Sequence, residues 1–470
     1  MADNGAGAPT DAGSTAPEDP SSTLLSKGFV VLLAIAAVVG VLVSLAAWCF
    51  LRLVYQIQRE LYTHLPSALG YSHGPPLWWS LPILAIAGLI TAFAIVRLPG
   101  NGGHIAAEGL KVGGGLPQPI TLPGIILAGL ASIGMGLVIG PEGPLIALGG
   151  GLAVATIKLA RKQAPSQVLV VVAATGSFAA LAFVFSSPII AAVLMIEATG
   201  LGKDRLPIVL LPGLIGAGIG SLVSIGMGAF TGLSTSSYAL GALPLPTYNH
   251  PTAAAFAWTI PFALLVAVVA YLIRTGGLGT QRIVKPRQFL LLPLCGLIVS
   301  GLAIAFAQAT GKAFTEVLFS GQSALPGLVS GAGTWSLSAL ALLIVFKGIG
   351  YSISLGSFRG GPTFPAIFLG AAGGVMCSHL PGFAITPAVA VGMGAAIVAI
   401  LRLPLSAIVV ASVLVSKAGP GAEPLVIVGV VVAYLATLGL ARLQTAKSTS
   451  MSADTNGTKK AAAAAAAEGA

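Results

Sequence analysis

Two carboxylates stand well inside apolar sequence: Glu142, in Gly140-Pro141-Glu142-Gly143-Pro144, and Glu197, in FSSPIIAAVLMIEA. The chain has 13 acidic side chains, and the others lie mostly in its terminal stretches or at the ends of apolar segments. A carboxylate at membrane depth costs a few kcal/mol or more, so it marks a functional site by default. Glu142 sits between glycines, just before a proline, where a helix is predicted to start. Free backbone N–H groups and the helix dipole attract negative charge there. Two readings follow. In one, the carboxylate only caps its helix. In the other, helix N-termini converge on an anion and Glu142 competes with it as a tethered anion, so that protonating Glu142 opens the path.

Three glycine- and proline-rich breaks, each ahead of an apolar stretch, extend the second reading: Gly100-Asn101-Gly102-Gly103-His104, Gly140 to Pro144, and Gly360-Gly361-Pro362-Thr363-Phe364-Pro365. Glycine lets backbone approach an ion closely, and proline in the first helical turn sacrifices no needed donor. Each break is predicted to open a helix, and each taken alone reads equally as a reentrant turn that packs helices. Asn101, Gly102, Gly103, His104, Gly140, Gly143, Gly361, Thr363 and Phe364 are the candidate anion-binding residues. Cys49, Cys295 and Cys377 lie in apolar stretches without framework spacing and read as small buried hydrophobes. The five histidines are scattered, so neither a metal site nor a cofactor is expected.

The elements that must hold these residues belong to a membrane. Of 470 residues, 56% are hydrophobic and 8% charged, and the mean hydropathy is +0.97. A soluble domain carries about 25% charged residues. The net charge of +10 is spread out, which suits basic loops and not a nucleic-acid face. Spans are predicted near 29–54, 77–97, 205–230, 253–273, 287–308 and 335–350. Residues 121–202 and 360–441 are apolar throughout but broken into pieces of about 10 to 18 residues, too short to cross alone. Breaks at membrane depth are tolerated where backbone is buried in protein or lines a polar cavity, the mark of a transport site. Lys158, Arg161 and Lys162 fall in one predicted loop, and Arg274, Arg282, Lys285 and Arg287 in another. The positive bias puts both on the cytoplasmic side. Lys347, Arg359 and Arg402 read equally as cations that concentrate anions near a pathway or as side chains snorkelling at span ends.

The two halves echo each other. Gly140 to Pro144 is followed by Pro188 in FSSPIIAAVLM, and Gly360 to Pro365 by Pro404 in LRLPLSAIVVA, at similar spacing. The pattern reads as an internal repeat. Residues 1–27 and 442–470, rich in small and polar residues, are expected to be disordered tails around a transmembrane domain of 28–441, with halves of about 28–230 and 250–441. No soluble regulatory domain is expected after the last span.

These motifs resemble those of the CLC family of chloride channels and proton/chloride antiporters, in its prokaryotic type without CBS domains. Gly140 to Pro144 is similar to the family's Gly-Arg/Lys-Glu-Gly-Pro, with Pro141 in the basic position. Gly361 to Pro365 is similar to Gly-x-Phe-x-Pro, with Thr363 where phenylalanine is usual. FSSPIIAAVLMIEA and LRLPLSAIVVA resemble its two proline-started stretches. The resemblance implies an all-α polytopic membrane protein, an inverted repeat of about eighteen broken and reentrant helices. It further implies a homodimer with one ion pathway per subunit, in the plasma membrane (the cell inner membrane). Glu142 would be the gating glutamate, with backbone amides near Gly143, Thr363 and Phe364 as anion ligands.

Three departures bear on function. The family's anion-binding serine in Gly-Ser-Gly-Ile-Pro has no clear equivalent, and Asn101 or His104 is the candidate donor in its stead. The internal proton glutamate that follows the position of Glu197 is Ala198, so Glu197 either substitutes on a proton route with Glu142 or, as the favoured reading, pairs structurally with a backbone amide or a cation. The last family helix, with its tyrosine, is not found after Leu440, and Tyr434 reads as packing. The chain is therefore expected to move chloride or a similar small anion, with passive or weakly coupled conduction favoured. The alternatives are proton-coupled antiport and transport of fluoride or nitrate. The partners implied are the anion, protons, membrane lipid and a second copy, with no nucleic acid. The sequence has no nucleophile–base, paired aspartate, metal or phosphate-loop motif, so an enzyme is not expected.

Overall fold

Leucine, isoleucine, valine and alanine fill most helical segments on every side, and eight helices among the described residues are long and apolar enough to cross a membrane. The computed structural model describes residues 24–110, 116–200, 206–232 and 238–444. Over them the chain is helical, and its strand-like pairing consists of two isolated antiparallel bridges. The helices are α1 (Lys27–Ala68), α2 (Leu77–Arg97), α3 (Pro119–Gly134), α4 (Glu142–Ala160) and α5 (Ser166–Phe185). They continue with α6 (Pro188–Thr199), α7 (Leu206–Thr231), α8 (Ala253–Val284), α9 (Gln288–Thr310) and α10 (Leu325–Ser330). The last are α11 (Leu337–Ser357), α12 (Thr363–Cys377), α13 (Ile385–Leu401), α14 (Pro404–Leu414) and α15 (Pro420–Gln444).

Helix starts follow local chemistry. Ser26, Ser187, Thr252 and Ser336 each cap a helix by accepting from the backbone N–H three residues on, and Pro188 and Pro404 stand at first helical positions. The internal repeat is visible as structure. Helices α4, α5 and α6 of the first half correspond to α12, α13 and α14 of the second. The residues before α4 and α12, Pro141 and Pro362, have nearly the same backbone angles, φ −84° ψ −11° and φ −88° ψ −11°. Helix α5 ends at left-handed Ser186 and α13 at left-handed Arg402, each two residues before the next helix's proline.

Small residues set how close these helices come. A methyl on Gly149 would run into the carbonyl of Gly176, and one on Gly176 into that of Gly149; Gly370 and Gly392 stand in the same reciprocal relation. Gly149 lies seven residues after Glu142, and Gly370 seven after Thr363. The α4–α5 and α12–α13 crossings are thus one motif used twice, with the backbone approach typical of membrane helix pairs. Helices α2 and α9 cross closely as well: Gly88 and Gly296 each face the other helix's backbone, and the Ser80 and Ser300 hydroxyls are 2.5 Å apart.

Several expectations need correction. The basic stretch from Arg274 to Arg287 is mostly helical: α8 carries Arg274 and Arg282 and runs to Val284, and only Lys285 and Arg287 lie in the short turn before α9. The backbone leaves the helical region at Arg287, φ −136° and ψ 56°, and α8 and α9 both pack on α11, with Ile273 beside Gly348 and Val299 beside Gly350. Helices α4 and α5, of 19 and 20 residues, reach spanning length, whereas α6, α12, α13 and α14 remain short. Gly100 to His104 opens no long helix among the described residues. A three-residue turn, Ala106–Glu108, follows it, so the loop has no helix dipole at its back. Of the cysteines, Cys295 is buried, Cys377 is half-buried and Cys49 is exposed on α1. Lys347 and Arg359 do not snorkel, being 0% and 5% exposed. The last helix continues to Gln444, past the expected boundary at 441. The expected tails otherwise lie outside the described residues.

Candidate functional site

The site is built where the two halves meet. Gly140 donates to the Gly361 carbonyl at 2.8 Å, and Gly361 donates to the Gly140 carbonyl at 2.6 Å. This antiparallel pair brings the N-termini of α4 and α12 together. A methyl on Gly143 would strike the Gly360 carbonyl, and one on Gly361 the Glu142 side chain, so glycine is required at both places. The two helix dipoles add their positive ends at one point.

Glu142 occupies that point. Its carboxylate is 0% exposed, and Oε1 accepts from the Thr363 backbone N–H of the opposite half. The Phe364 amide and the amide of Glu142 itself also face the carboxylate. Oε2 and the Thr363 hydroxyl are buried without hydrogen-bond partners. A buried carboxylate with an orphaned oxygen is costly unless it can be neutralised or displaced. Among the expected anion ligands, the Gly143 segment, Thr363 and Phe364 gather here. Gly140 and Gly361 use their own N–H groups on each other and serve as the frame.

Two further side chains at this crossing have contacts that the sequence did not reveal. Tyr351, fully buried on α11, donates its hydroxyl to the Pro362 carbonyl and so fixes the residue before α12. Phe185, at the end of α5, stacks on Phe364 with ring centroids 5.1 Å apart. A lone tyrosine in an apolar helix carries no spacing signal, whereas Phe185 opens the FSSPIIAAVLMIEA motif, whose sequence does not reveal the stacking on Phe364.

Cavities approach the crossing from two ends. The smaller, about 40 Å³, is lined by Pro141, Tyr238, Phe319, Ser320, Gln322 and the C-terminal half of α1, and its lining has no charged residue. The larger, about 580 Å³, is lined by Asn101, Gly103, His104, Glu108, Lys285 and Arg359, with the end of α2 and the α8–α9 junction. Helices α1 and α2 are joined by a short connection, so the end of α2 lies on the opposite face from the end of α1. Pro141, directly before Glu142, lines the smaller cavity, and Arg359, two residues before Gly361, lines the larger, so each cavity reaches a residue close in sequence to the Glu142 crossing.

The Gly100 to His104 loop stands apart from Glu142, on the larger cavity. Asn101 is left-handed at φ 50°, its carbonyl accepts from Arg359 Nε at 3.1 Å, and His104 Nε2 lies 2.6 Å from the Gly109 carbonyl. Glu197 is also remote in role: it accepts from the backbone N–H groups of Leu405 at 3.0 Å and Ser406 at 2.7 Å, and from the Ser406 hydroxyl at 2.7 Å. It caps α14, the structural pairing with backbone amides favoured by the sequence. Tyr434 packs half-buried against the core.

The profile of the family described as "Voltage gated chloride channel" matches residues 100–438. The chain belongs to the CLC family. Its relatives include YfeO of Escherichia coli strains, a protein provisionally named for ion transport, 27% identical over 355 residues that cover 74% of this chain and 79% of YfeO. Among solved structures, a slow cyanobacterial Cl⁻/H⁺ antiporter aligns with TM-score 0.72 at 20% identity, over 87% of this chain and 94% of that one. A CLC-type fluoride/proton antiporter aligns with TM-score 0.64 at 18% identity, over 87% and 96%. At these identities the structures speak for the fold. This CLC protein is a multi-pass membrane protein with the inverted-repeat architecture, and its Gly140–Gly361 pair is the contact between the repeats.

Proposed function

We propose that this CLC protein carries chloride or a similar small monovalent anion across the membrane, through the two cavities and the neck between them, with Glu142 as the gate. One observation carries the reading: the Glu142 carboxylate, itself an anion, sits buried on the Thr363 amide at the meeting of two helix N-termini. Whatever displaces it must also be a small anion. Protonation removes its charge and its claim on the amides, so an external anion can replace it. The protein on this reading is a transporter and not an enzyme. Its transmembrane domain spans about 28–441 in a cell's plasma membrane, and it pairs as a homodimer.

Passive or weakly coupled conduction is the favoured form. Ala198 offers no carboxylate, and Glu197 is fully engaged in capping α14, so neither supplies an internal proton acceptor. Strict proton exchange is the second reading, favoured by the proton-coupled activities in the titles of the two similar structures. Fluoride and nitrate are alternative cargoes, because backbone amides and helix dipoles do not identify an anion. Chloride efflux from proteoliposomes of the full chain tests the reading: wild-type flux should rise as pH falls, and Glu142→Gln should give fast flux at every pH. Flux unchanged by this substitution would contradict the gate.

A further inference from the structure

The gate accounts for the narrow end of the pathway and leaves unexplained a cation buried at the wide end. Arg359 is 5% exposed. Its backbone is locked: the N–H donates to the Ser132 hydroxyl at 3.2 Å, and the residue bridges Ile105. Its side chain is held at one atom, Nε, by the Asn101 carbonyl at 3.1 Å. Nη1 makes only long contacts, to the Ser357 and Phe358 carbonyls at 3.5 and 3.4 Å. Nη2 donates to no described residue and is not among the polar atoms sealed from solvent, and Arg359 lines the 580 Å³ cavity.

A guanidinium carries five donors and a permanent charge. Removing it from water while satisfying one donor well is unfavourable unless a counter-charge is near. Among the described residues, the charged groups that line the cavity beside Arg359 are Lys285 and Glu108, with His104 as the other titratable one. The Glu108 charge acts on Arg359, but Glu108 also accepts from Gln281 at 2.8 Å, and no oxygen of it lies within 4.0 Å of the guanidinium. Among the described residues, two cations, Arg359 and Lys285, stand against one acid, Glu108, in the lining. The loop that holds Nε is the one that lacks the family's anion-binding serine.

We infer that Arg359, with Nη1 and Nη2 turned to the cavity, binds a small monovalent anion at the inner end of the pathway, two residues before the Gly140–Gly361 pair. The fork of donors grips a planar oxyanion such as nitrate at two points, and a halide at one or two. Asn101 and Ser132 act as positioning residues, fixing the side chain and backbone of Arg359. The site deepens the anion-transport reading and rests on it for its purpose, but its chemistry can be tested separately.

The test is calorimetric titration of sodium nitrate and sodium chloride into the purified full chain in halide-free buffer. Wild type and Glu142→Gln should both bind at this site. Arg359→Gln should weaken it at least about tenfold, the loss expected for one charge-assisted hydrogen bond, while Arg359→Lys, which keeps the charge, retains part of it. Undiminished affinity in folded Arg359→Gln would overturn the inference. A second measurement needs no variant: modification of wild-type Arg359 by phenylglyoxal, followed by peptide mass spectrometry, should slow severalfold in nitrate. An anion-independent rate would overturn the inference as well. Arg359-dependent binding in a chain that moves no anion would keep this site and remove the transport reading. Transport with binding indifferent to Arg359 would do the reverse.

Discussion

Glu142 and Glu197 are both carboxylates in apolar surroundings that accept from backbone N–H groups, yet the structure satisfies them differently. Glu197 has both oxygens engaged at the start of α14, with three donors within 3.0 Å. It is a cap supplied from another helix, and Glu197→Ala should cost about 1 kcal/mol of stability, the usual worth of a cap. Thermal unfolding in detergent checks this; flux should keep its pH response. A lost pH response in a folded Glu197→Ala protein would return Glu197 to a proton route. Glu142 is half-satisfied, with Oε2 orphaned, which supports the proposal that it is displaced when the gate opens. Tyr351 steadies the residue before α12, so Tyr351→Phe should lower stability by about 1 kcal/mol and weaken anion binding at the neck, both readable by titration and melting. Glu142 was legible because its motif is five consecutive residues in an apolar setting. Arg359 was legible only as one of three cations that either concentrate anions or snorkel, and Tyr351 not at all, because their contacts are made in space: the Arg359–Asn101 bond joins residues 258 positions apart.

At the scale of elements, the repeat explains why short, broken helices are stable inside this fold. Neither α6 nor α14 can span the bilayer, at 12 and 11 residues, but each is packed by its neighbours and by the other. The Gly149–Gly176 and Gly370–Gly392 crossings put carbonyls where a side chain would be. Gly149→Val and Gly370→Val should each destabilise by about 1–3 kcal/mol or more, the range for overpacking a dense interior. Similar losses from the two, read as melting temperatures, would reflect their equivalent places; a neutral substitution in either half would contradict the shared packing. The proline starts at 188 and 404 made this repeat readable in the sequence. The loop at Gly100 to His104 misled for a physical reason: glycine and asparagine announce a tight, left-handed backbone, and four successive residues from Gly100 have positive φ, but that chemistry does not say that a long helix follows.

On the scale of the whole molecule, the two cavities are unequal. Among the described residues, the small one has no charged group in its lining, and the large one has two cations and one acid. On the proposed function, such a wide vestibule would concentrate anions before the point that Glu142 closes. The asymmetry predicts stronger salt dependence of anion capture from the wide side than from the narrow one, measurable by comparing uptake into inside-out and right-side-out vesicles. Composition made the membrane class legible, and the four motifs made the family legible. What remained hidden was the inner end, where this chain departs from the family's usual residues. The most direct test of the central claim is the chloride flux of reconstituted Glu142→Gln beside wild type across pH 4 to 8, with the reversal potential taken under opposed chloride and proton gradients. The account predicts wild-type flux that climbs toward acid, variant flux that is high and flat, and a potential set by chloride alone. A variant that still follows pH, or flux no faster than wild type at neutral pH, would contradict Glu142 as the gate.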